Sequence, residues 1–157
     1  MGCRIFFWIM SLFGCYDNVE PVHAVSLQSK IEYTAKEKEL INEINEYRRQ
    51  NFLQECSTDN YLSSLAYEHN LYMISQGKPS HDNFNERVAD IGLIMNIKTA
   101  AEIISYGFMT TEVIVNKWSK SESHRKVLEN PSFNCMGLAA TFGANGRLYV
   151  TNIYIKQ

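Results

Sequence analysis

The feature that most constrains this fold is a pair of β-rich runs at the C-terminus, residues 136–142 and 148–155. The turn between them, residues 143–146, reads Gly-Ala-Asn-Gly, which predicts a β-hairpin. Alternate residues of the second run point to opposite faces, and both faces are mostly apolar. A strand of this kind must be covered on both sides. The sequence therefore predicts helices packed on both faces of this strand.

Helical spacing of apolar residues predicts two long helices before the hairpin. Thr34 and Glu37 form a capping box at the start of the first helix, which closes at residues 48–51 with cations near its carboxyl end. The second helix is expected to start within residues 57–59 and to stop at Gly77. Residues 80–85 are expected to form a loop. Three shorter helices are expected after it: residues 86–91, ended by Gly92; a helix capped by Thr110 or Thr111; and a helix capped by Ser121 that ends before Pro131.

Length and charge favour a single globular domain and exclude an obvious nucleic-acid interface. The chain has 157 residues, which is the usual size of one domain. Its 15 Lys and Arg against 17 Asp and Glu give a net charge of -2, without a basic run. Binding to nucleic acid depends on clustered cations that neutralise phosphates. We therefore expect no nucleic-acid partner.

The N-terminus predicts export. Arg4 precedes an apolar run at residues 5–13, too short to span a bilayer, for which about 20 residues are needed. It is typical of a secretory signal, and Leu12-Phe13-Gly14-Cys15 resembles a bacterial lipobox. We expect a signal peptide at 1–14, a lipid such as palmitate on Cys15, a tether at 15–33 and a domain at 34–157. A simple signal peptide or an uncleaved anchor is the alternative.

Two cysteines, Cys56 and Cys135, remain in the domain. Export would permit a disulfide between them. Their apolar neighbours favour two buried free thiols instead. Both states stay open at the level of sequence, because only the structure tells whether the two residues come close enough to bond.

A set of polar residues is spread over the middle of the chain at intervals of roughly twenty residues: Ser80-His81-Asp82, Ala101-Glu102, and Ser121 to Arg125. These intervals exceed the three- or four-residue reach of neighbours on one helix. Only a tertiary fold can bring His81, Glu102 and His124 together into a cleft able to hold a metal ion or move a proton. Otherwise the two histidines have a structural role and only hydrogen-bond a loop to the floor of the cleft. His69, on an apolar helical stripe, is expected to be a hydrogen-bonded core residue.

The order of these fragments resembles the CAP superfamily, also called SCP-like domains, and in particular its short bacterial branch. The resemblance covers residues 39–155. It implies an α+β fold, an α-β-α sandwich with a small antiparallel sheet between helix layers. The fragments that carry it are residues 40–48, Ala66-Tyr67-Glu68-His69, Ser80-His81-Asp82, Ala101-Glu102-Ile103, Trp118, residues 121–125, Asn130-Pro131 and Met136-Gly137-Leu138.

The resemblance also implies a cleft with two histidines and two acidic residues. His81 and His124 take the histidine places, and Glu102 takes one acidic place. The second acidic place falls on Ser121, and the adjacent Glu122 would point about 100° away on a helix. The set is therefore incomplete. The neighbouring Arg125 is expected to pair with Glu102 or with a backbone carbonyl.

From these observations we expect a membrane-anchored lipoprotein at the bacterial surface or in the periplasm, with the outer membrane favoured. It would act as a binding module for a protein partner, a lipid or sterol, or a divalent metal such as Zn²⁺ held by His81 and His124. The alternative is a metal-assisted hydrolase acting on peptides or cell-wall material, with Glu102 as general base. A third possibility is a structural envelope protein with an idle cleft. No catalytic residue is assigned.

Overall fold

The computed structural model describes residues 32–107 and 109–157. The predicted signal peptide, the predicted lipidation site at Cys15 and nearly all of the predicted tether lie outside these ranges. Within them, no helix combines the length and apolar character that crossing a membrane requires. The elements are α1 Ala35–Gln50, β1 Ser57–Thr58, α2 Asn60–Gln76, α3 Phe84–Ile94, β2 Thr99–Gly107, α4 Thr111–Lys120, α5 Glu122–Leu128, β3 Cys135–Phe142 and β4 Leu148–Lys156.

The centre of the fold is a four-stranded sheet in the order β1-β3-β4-β2. β3 and β4 form the predicted hairpin, β2 pairs antiparallel with β4, and β1 runs parallel to β3. The sheet is thus mixed, since the two-residue strand β1 adds one parallel pair. Every residue of β4 from Leu148 to Ile155 is buried, as expected of a strand that is covered on both faces.

Two helix layers cover the sheet, and each has its own hydrophobic cluster. On one face α1, α4 and α5 pack against it through Ile44, Trp118 and Leu128. On the other face α2 and α3 pack through Leu65 and Ile91. The α+β fold with an α-β-α sandwich is confirmed.

Close packing between α2 and β3 depends on Gly137. A Cβ atom built on this residue would lie 2.2 Å from the carbonyl carbon of Leu62 and 2.4 Å from the backbone nitrogen of Ser63. These neighbours are backbone atoms of α2, so no side-chain rotation could relieve the overlap. Glycine at this position lets the helix lie directly on the strand.

The local helix signals were correct at four ends, one of which is the start of α4, where the Thr110 hydroxyl accepts from the Val113 amide at 3.4 Å. The capping box is present, with the Thr34 amide donating to Glu37 at 2.8 Å and the Glu37 amide donating to the Thr34 hydroxyl at 3.2 Å. Asp59 caps α2, and Gly77 ends it with φ 68°. Ser121 is the N-cap residue of α5, as predicted, but its hydroxyl makes no capping hydrogen bond and lies 3.2 Å from the Ser123 hydroxyl instead.

Two assignments in the middle of the chain differ from expectation. α3 continues through Gly92 to Ile94, and the Met95 amide still bonds to the Ile91 carbonyl. The second difference is β2, the strand that carries Glu102, which the sequence did not predict. Its residues do not alternate cleanly between buried and exposed, and its partner β4 lies about fifty residues later in the chain. Pairing over such a distance leaves no local signal.

The free edge of β3 is closed by side chains. Because β1 pairs only with the start of β3, no strand of the described residues lies beside the outer amides of Leu138 and Ala140. The Leu138 amide donates to the Ser63 hydroxyl at 3.1 Å, and the Ala140 amide donates to the Glu37 carboxylate at 3.0 Å. Glu37, the capping-box partner of Thr34 at the start of α1, therefore also bonds to the edge of the sheet.

Arg48, one of the cations expected near the carboxyl end of α1, is fully buried. Its guanidinium donates to four backbone carbonyls. The acceptors are Gln54, at 2.8 Å, Leu128, at 2.8 Å, Asn130, at 3.3 Å, and Phe133, at 3.1 Å. The side chain thus joins the end of α1 to the segment that leads from α5 into β3.

Cys56 and Cys135 are free and buried. Burial raises the pKa of the Cys56 thiol to about 11 and also raises that of Cys135. Both side chains therefore stay protonated at neutral pH and act as small apolar groups. Of the two states left open by the sequence, the structure has the free thiols.

Candidate functional site

Glu102 is the centre of the candidate site. It lies on β2, next to Ile103, which belongs to the cluster on the α1 side of the sheet. Successive strand residues face opposite sides, so the Glu102 carboxylate enters the layer of α2 and α3. Its side chain is only 1% exposed. A carboxylate buried to this degree must be paired and hydrogen-bonded.

The main partner of Glu102 is Arg87 on α3. Arg87 Nη2 lies 2.7 Å from Oε2 and 2.9 Å from Oε1, and Nε lies 3.1 Å from Oε2. Arg87 Nη1 also donates to the Asp82 carbonyl at 2.8 Å. The sequence prediction missed Arg87. The available signal was its position four residues before the buried Ile91, on the same face of the helix.

His81, in the loop between α2 and α3, completes the shell of the carboxylate. Its Nδ1 lies 2.9 Å from Glu102 Oε1, and its side chain is 50% exposed. Because the carboxylate can only accept, Nδ1 carries a proton, and in the neutral tautomer that this contact favours the lone pair is on Nε2. This carboxylate–histidine arrangement fixes the tautomer and orientation of an imidazole, as in many metal sites. The structure thus joins two of the predicted cleft residues directly.

His124 lies in the first turn of α5, in the other helix layer, and is half-buried. Its pKa is lowered first by burial and then by the nearby His81. His81 thus contributes to the lowered pKa of His124, although one residue lies in the α2–α3 loop and the other on α5.

The remaining predicted residues do not reach Glu102. Ser121 contacts Ser123, and the Arg125 Nη1 atom donates to the Ser119 carbonyl at 3.4 Å, the backbone alternative expected for it. Glu122 pairs with Lys126 at 2.7 Å, and its side chain is 73% exposed. Within residues 32–107 and 109–157, no three His, Cys, Asp or Glu side chains are grouped so as to hold a metal ion.

His69 is the innermost histidine of this region, with a side chain that is 1% exposed. Its Nε2 donates to the Ser80 carbonyl at 2.7 Å and lies 3.8 Å from Glu102 Oε1. Its Nδ1 is buried without a hydrogen-bond partner among the described residues. His69 is thus a core residue, as expected, but only one of its ring nitrogens is bonded. Burial lowers its pKa, although the nearby Glu102 acts in the opposite direction.

This lowered pKa predicts a pH dependence of stability. A histidine that binds its proton less readily in the folded state contributes stability that is present above its unfolded pKa, about 6.5, and is lost as pH falls below it. We expect the urea midpoint to fall between pH 7 and pH 5, and to fall less in His69→Gln. An equal fall of the urea midpoint between pH 7 and pH 5 in the two proteins would contradict this role of His69.

Comparisons with known proteins agree on one family. The model of the cysteine-rich secretory protein family, CAP, matches residues 41–154. An uncharacterised protein of Bacillus subtilis, YkwD, is 29% identical over 110 residues, which are 67% of this chain and 42% of that protein. The chain thus spans less than half the length of this curated relative.

Two solved structures share the fold. An outer surface protein from Borrelia burgdorferi superposes with a TM-score of 0.71 at 21% identity, covering 82% of this chain and 98% of that one. An extracellular protein with an SCP domain from Bacillus anthracis superposes with a TM-score of 0.66 at 23% identity, covering 78% of this chain and 40% of that one. At these identities the likeness establishes the architecture.

Proposed function

Because this chain belongs to the cysteine-rich secretory protein (CAP) family, we propose that it is an exported binding protein that acts through the cleft of His81, Glu102 and His124. A lipid on Cys15 would hold it at the cell surface. The apolar run at residues 5–13 and the lipobox-like sequence that ends at Cys15 support this location. It also agrees with relatives described as an outer surface protein and an extracellular protein.

The observation that carries this proposal is that the Glu102 carboxylate is already fully engaged in hydrogen bonds. Its two oxygens accept from Arg87 and His81, and the side chain is almost fully buried. A general base needs a lone pair within reach of a substrate or of a water molecule. This carboxylate instead neutralises a buried guanidinium and orients an imidazole. Glu102 is therefore a positioning residue.

His81 is the group that would meet a ligand. Its side chain is half exposed, and the contact of Nδ1 with Glu102 fixes the orientation of the ring. The Nε2 lone pair can then accept a hydrogen bond or bind a metal ion. His124 on α5, whose pKa is lowered in part by His81, would supply a second imidazole. The cleft would then have two nitrogen ligands held by different layers of the sandwich.

A divalent metal fits this cleft only as a weakly held ion. Structural zinc sites use four protein ligands, and catalytic sites generally use three. Here two imidazoles are available, and the nearby carboxylate is bonded to Arg87. A bound ion would need solvent or a partner to complete its coordination. The hydrolase alternative would further need Glu102 as a free base, so we propose binding in place of turnover.

Zinc is a suitable probe because it binds neutral imidazole nitrogen. In isothermal titration of the purified protein with Zn²⁺ alone, we expect saturable one-site binding that is lost in a His81→Ala/His124→Ala variant. A Glu122→Gln variant, which changes an exposed carboxylate outside the cleft, is the matched control and should bind as the wild type does. Equal binding by all three proteins, or none by the wild type, would leave the histidines structural and overturn this use of the cleft.

A further inference from the structure

A cavity of about 210 Å³ lies between α2 and α3. Neither His81 nor His124 lines it. The residues that matter for its chemistry are Glu68, His69, Tyr72, Glu86, Arg87 and Asp90. The cavity and the cleft therefore adjoin at Arg87 and His69, which both lie beside Glu102.

The cavity is strongly negative. Glu68, Glu86 and Asp90 are exposed at its rim, and no cation among the described residues forms an ion pair with any of them. The one positive lining residue, Arg87, is already neutralised by Glu102. Consistent with this charge, the pKa of the nearby Tyr61 phenol is raised, first by burial and then by Asp90 and Glu68. Three uncompensated carboxylates thus surround one small opening.

His69, which lines this cavity, carries a buried acceptor. His69 donates its Nε2 proton to the Ser80 carbonyl, so its Nδ1 can only accept. That nitrogen has no partner among the described residues, and the side chain is 1% exposed. Buried polar atoms are rarely left without a partner, and an exception calls for an explanation. The missing partner is a hydrogen-bond donor.

The walls also favour a flat donor. The rings of His69 and Tyr72 lie 6.0 Å apart between centroids, with only 14° between their planes. A guanidinium is planar, stacks on aromatic faces and carries five N–H donors, whereas an ammonium is a compact, strongly hydrated charge. From the negative rim, the unfilled acceptor and the parallel rings we propose that this cavity binds a guanidinium group, the side chain of an arginine on a partner polypeptide. This site does not depend on the function proposed for the cleft.

The test is a two-dimensional NMR titration of the full protein with N-acetyl-L-arginine amide. We expect saturable shifts confined to the cavity and including the His69 ring nitrogens, because Nδ1 gains a donor. Affinity should fall by about fivefold in Glu86→Gln/Asp90→Asn, which removes two exposed charges from the rim. N-acetyl-L-glutamine amide, which has no charge, should not bind.

The control variant is Glu112→Gln/Glu122→Gln, which removes the same charge from exposed positions outside the cavity and should bind the arginine probe as the wild type does. Unchanged spectra, or equal shifts in all three proteins, would overturn the proposal. So would shifts that leave the His69 ring unaffected, because water or nothing would then occupy the place beside Nδ1. Zinc titration of the rim variant should match the wild type, so failure here is distinct from failure of the cleft.

Discussion

Replacing Arg87 with methionine is expected to destabilise the fold by about 3–5 kcal/mol, because it leaves the buried Glu102 carboxylate without its main partner. Both side chains are nearly inaccessible to water, 10% and 1% exposed, so the solvent cannot replace the lost contacts. His81 would remain as a single hydrogen-bonding partner. The measurement is urea unfolding at pH 7, with the free energy of unfolding taken from the midpoint and slope.

A double variant separates the pair from the rest of the fold. In Arg87→Met/Glu102→Leu both charges are gone, and we expect much of the lost stability to return, since a buried ion pair replaced by apolar groups of similar volume is often neutral. Arg125→Met, which removes an exposed arginine, is the control and should unfold close to the wild type. A wild-type midpoint for Arg87→Met would show that the Arg87–Glu102 pair does not contribute as described.

Arg48→Met is expected to cost at least about 3 kcal/mol, because it leaves several buried carbonyls without a donor, at about 1–3 kcal/mol each. Methionine retains much of the volume of the stem, so the loss reports hydrogen bonds more than packing. The carbonyls of Leu128 and Phe133 suffer most, since both of these hydrogen bonds are buried. The measurement is again urea unfolding, here with amide hydrogen exchange of residues 128–135 as a local readout.

The neighbouring Arg49 is a matched control on the same helix. Its guanidinium is 56% exposed and pairs with Glu46 and Glu55 at the surface. We therefore expect little change for Arg49→Met, because exposed ion pairs contribute little. Equal losses for Arg48→Met and Arg49→Met would mean that the buried carbonyl contacts are not what stabilises this end of α1.

Elements with local signals could be predicted from the sequence. The hairpin is specified by its own turn and by alternation, and α1 and α2 are specified by their caps and by apolar spacing. β2 could not be predicted in this way, because its pairing partner β4 is distant in sequence. Its identity as a strand is decided by tertiary pairing, which outweighs local propensity.

The two buried arginines show why residue type alone misleads. Arginine is seldom fully buried, so the residue type of Arg48 and Arg87 by itself would indicate the surface. Both nevertheless continue an apolar stripe: Arg48 lies four residues after Ile44, and Arg87 lies four residues before Ile91. Helical position indicated the buried face, but the partners that stabilise the charges come from other segments of the chain and could not be read locally.

For the candidate site, sequence resemblance supplied the place of each cleft residue, and geometry supplied the roles. His81 and Glu102, predicted to meet, are in direct contact. No motif in the sequence indicated that Glu102 would pair with Arg87 and not with Arg125. It follows from β2 presenting Glu102 to the α2–α3 layer, whereas Arg125 lies on α5 in the opposite layer.

The closed edge of β3 has a consequence for how copies of this chain behave when crowded. An open strand edge is a template on which a second chain can polymerise. Here the amides of Leu138 and Ala140 are already bonded to Ser63 and Glu37. A neighbouring molecule that approached this edge would have to displace a hydroxyl and a carboxylate before it could form a ladder. Glu37, which starts a helix, thereby also protects the sheet against self-association.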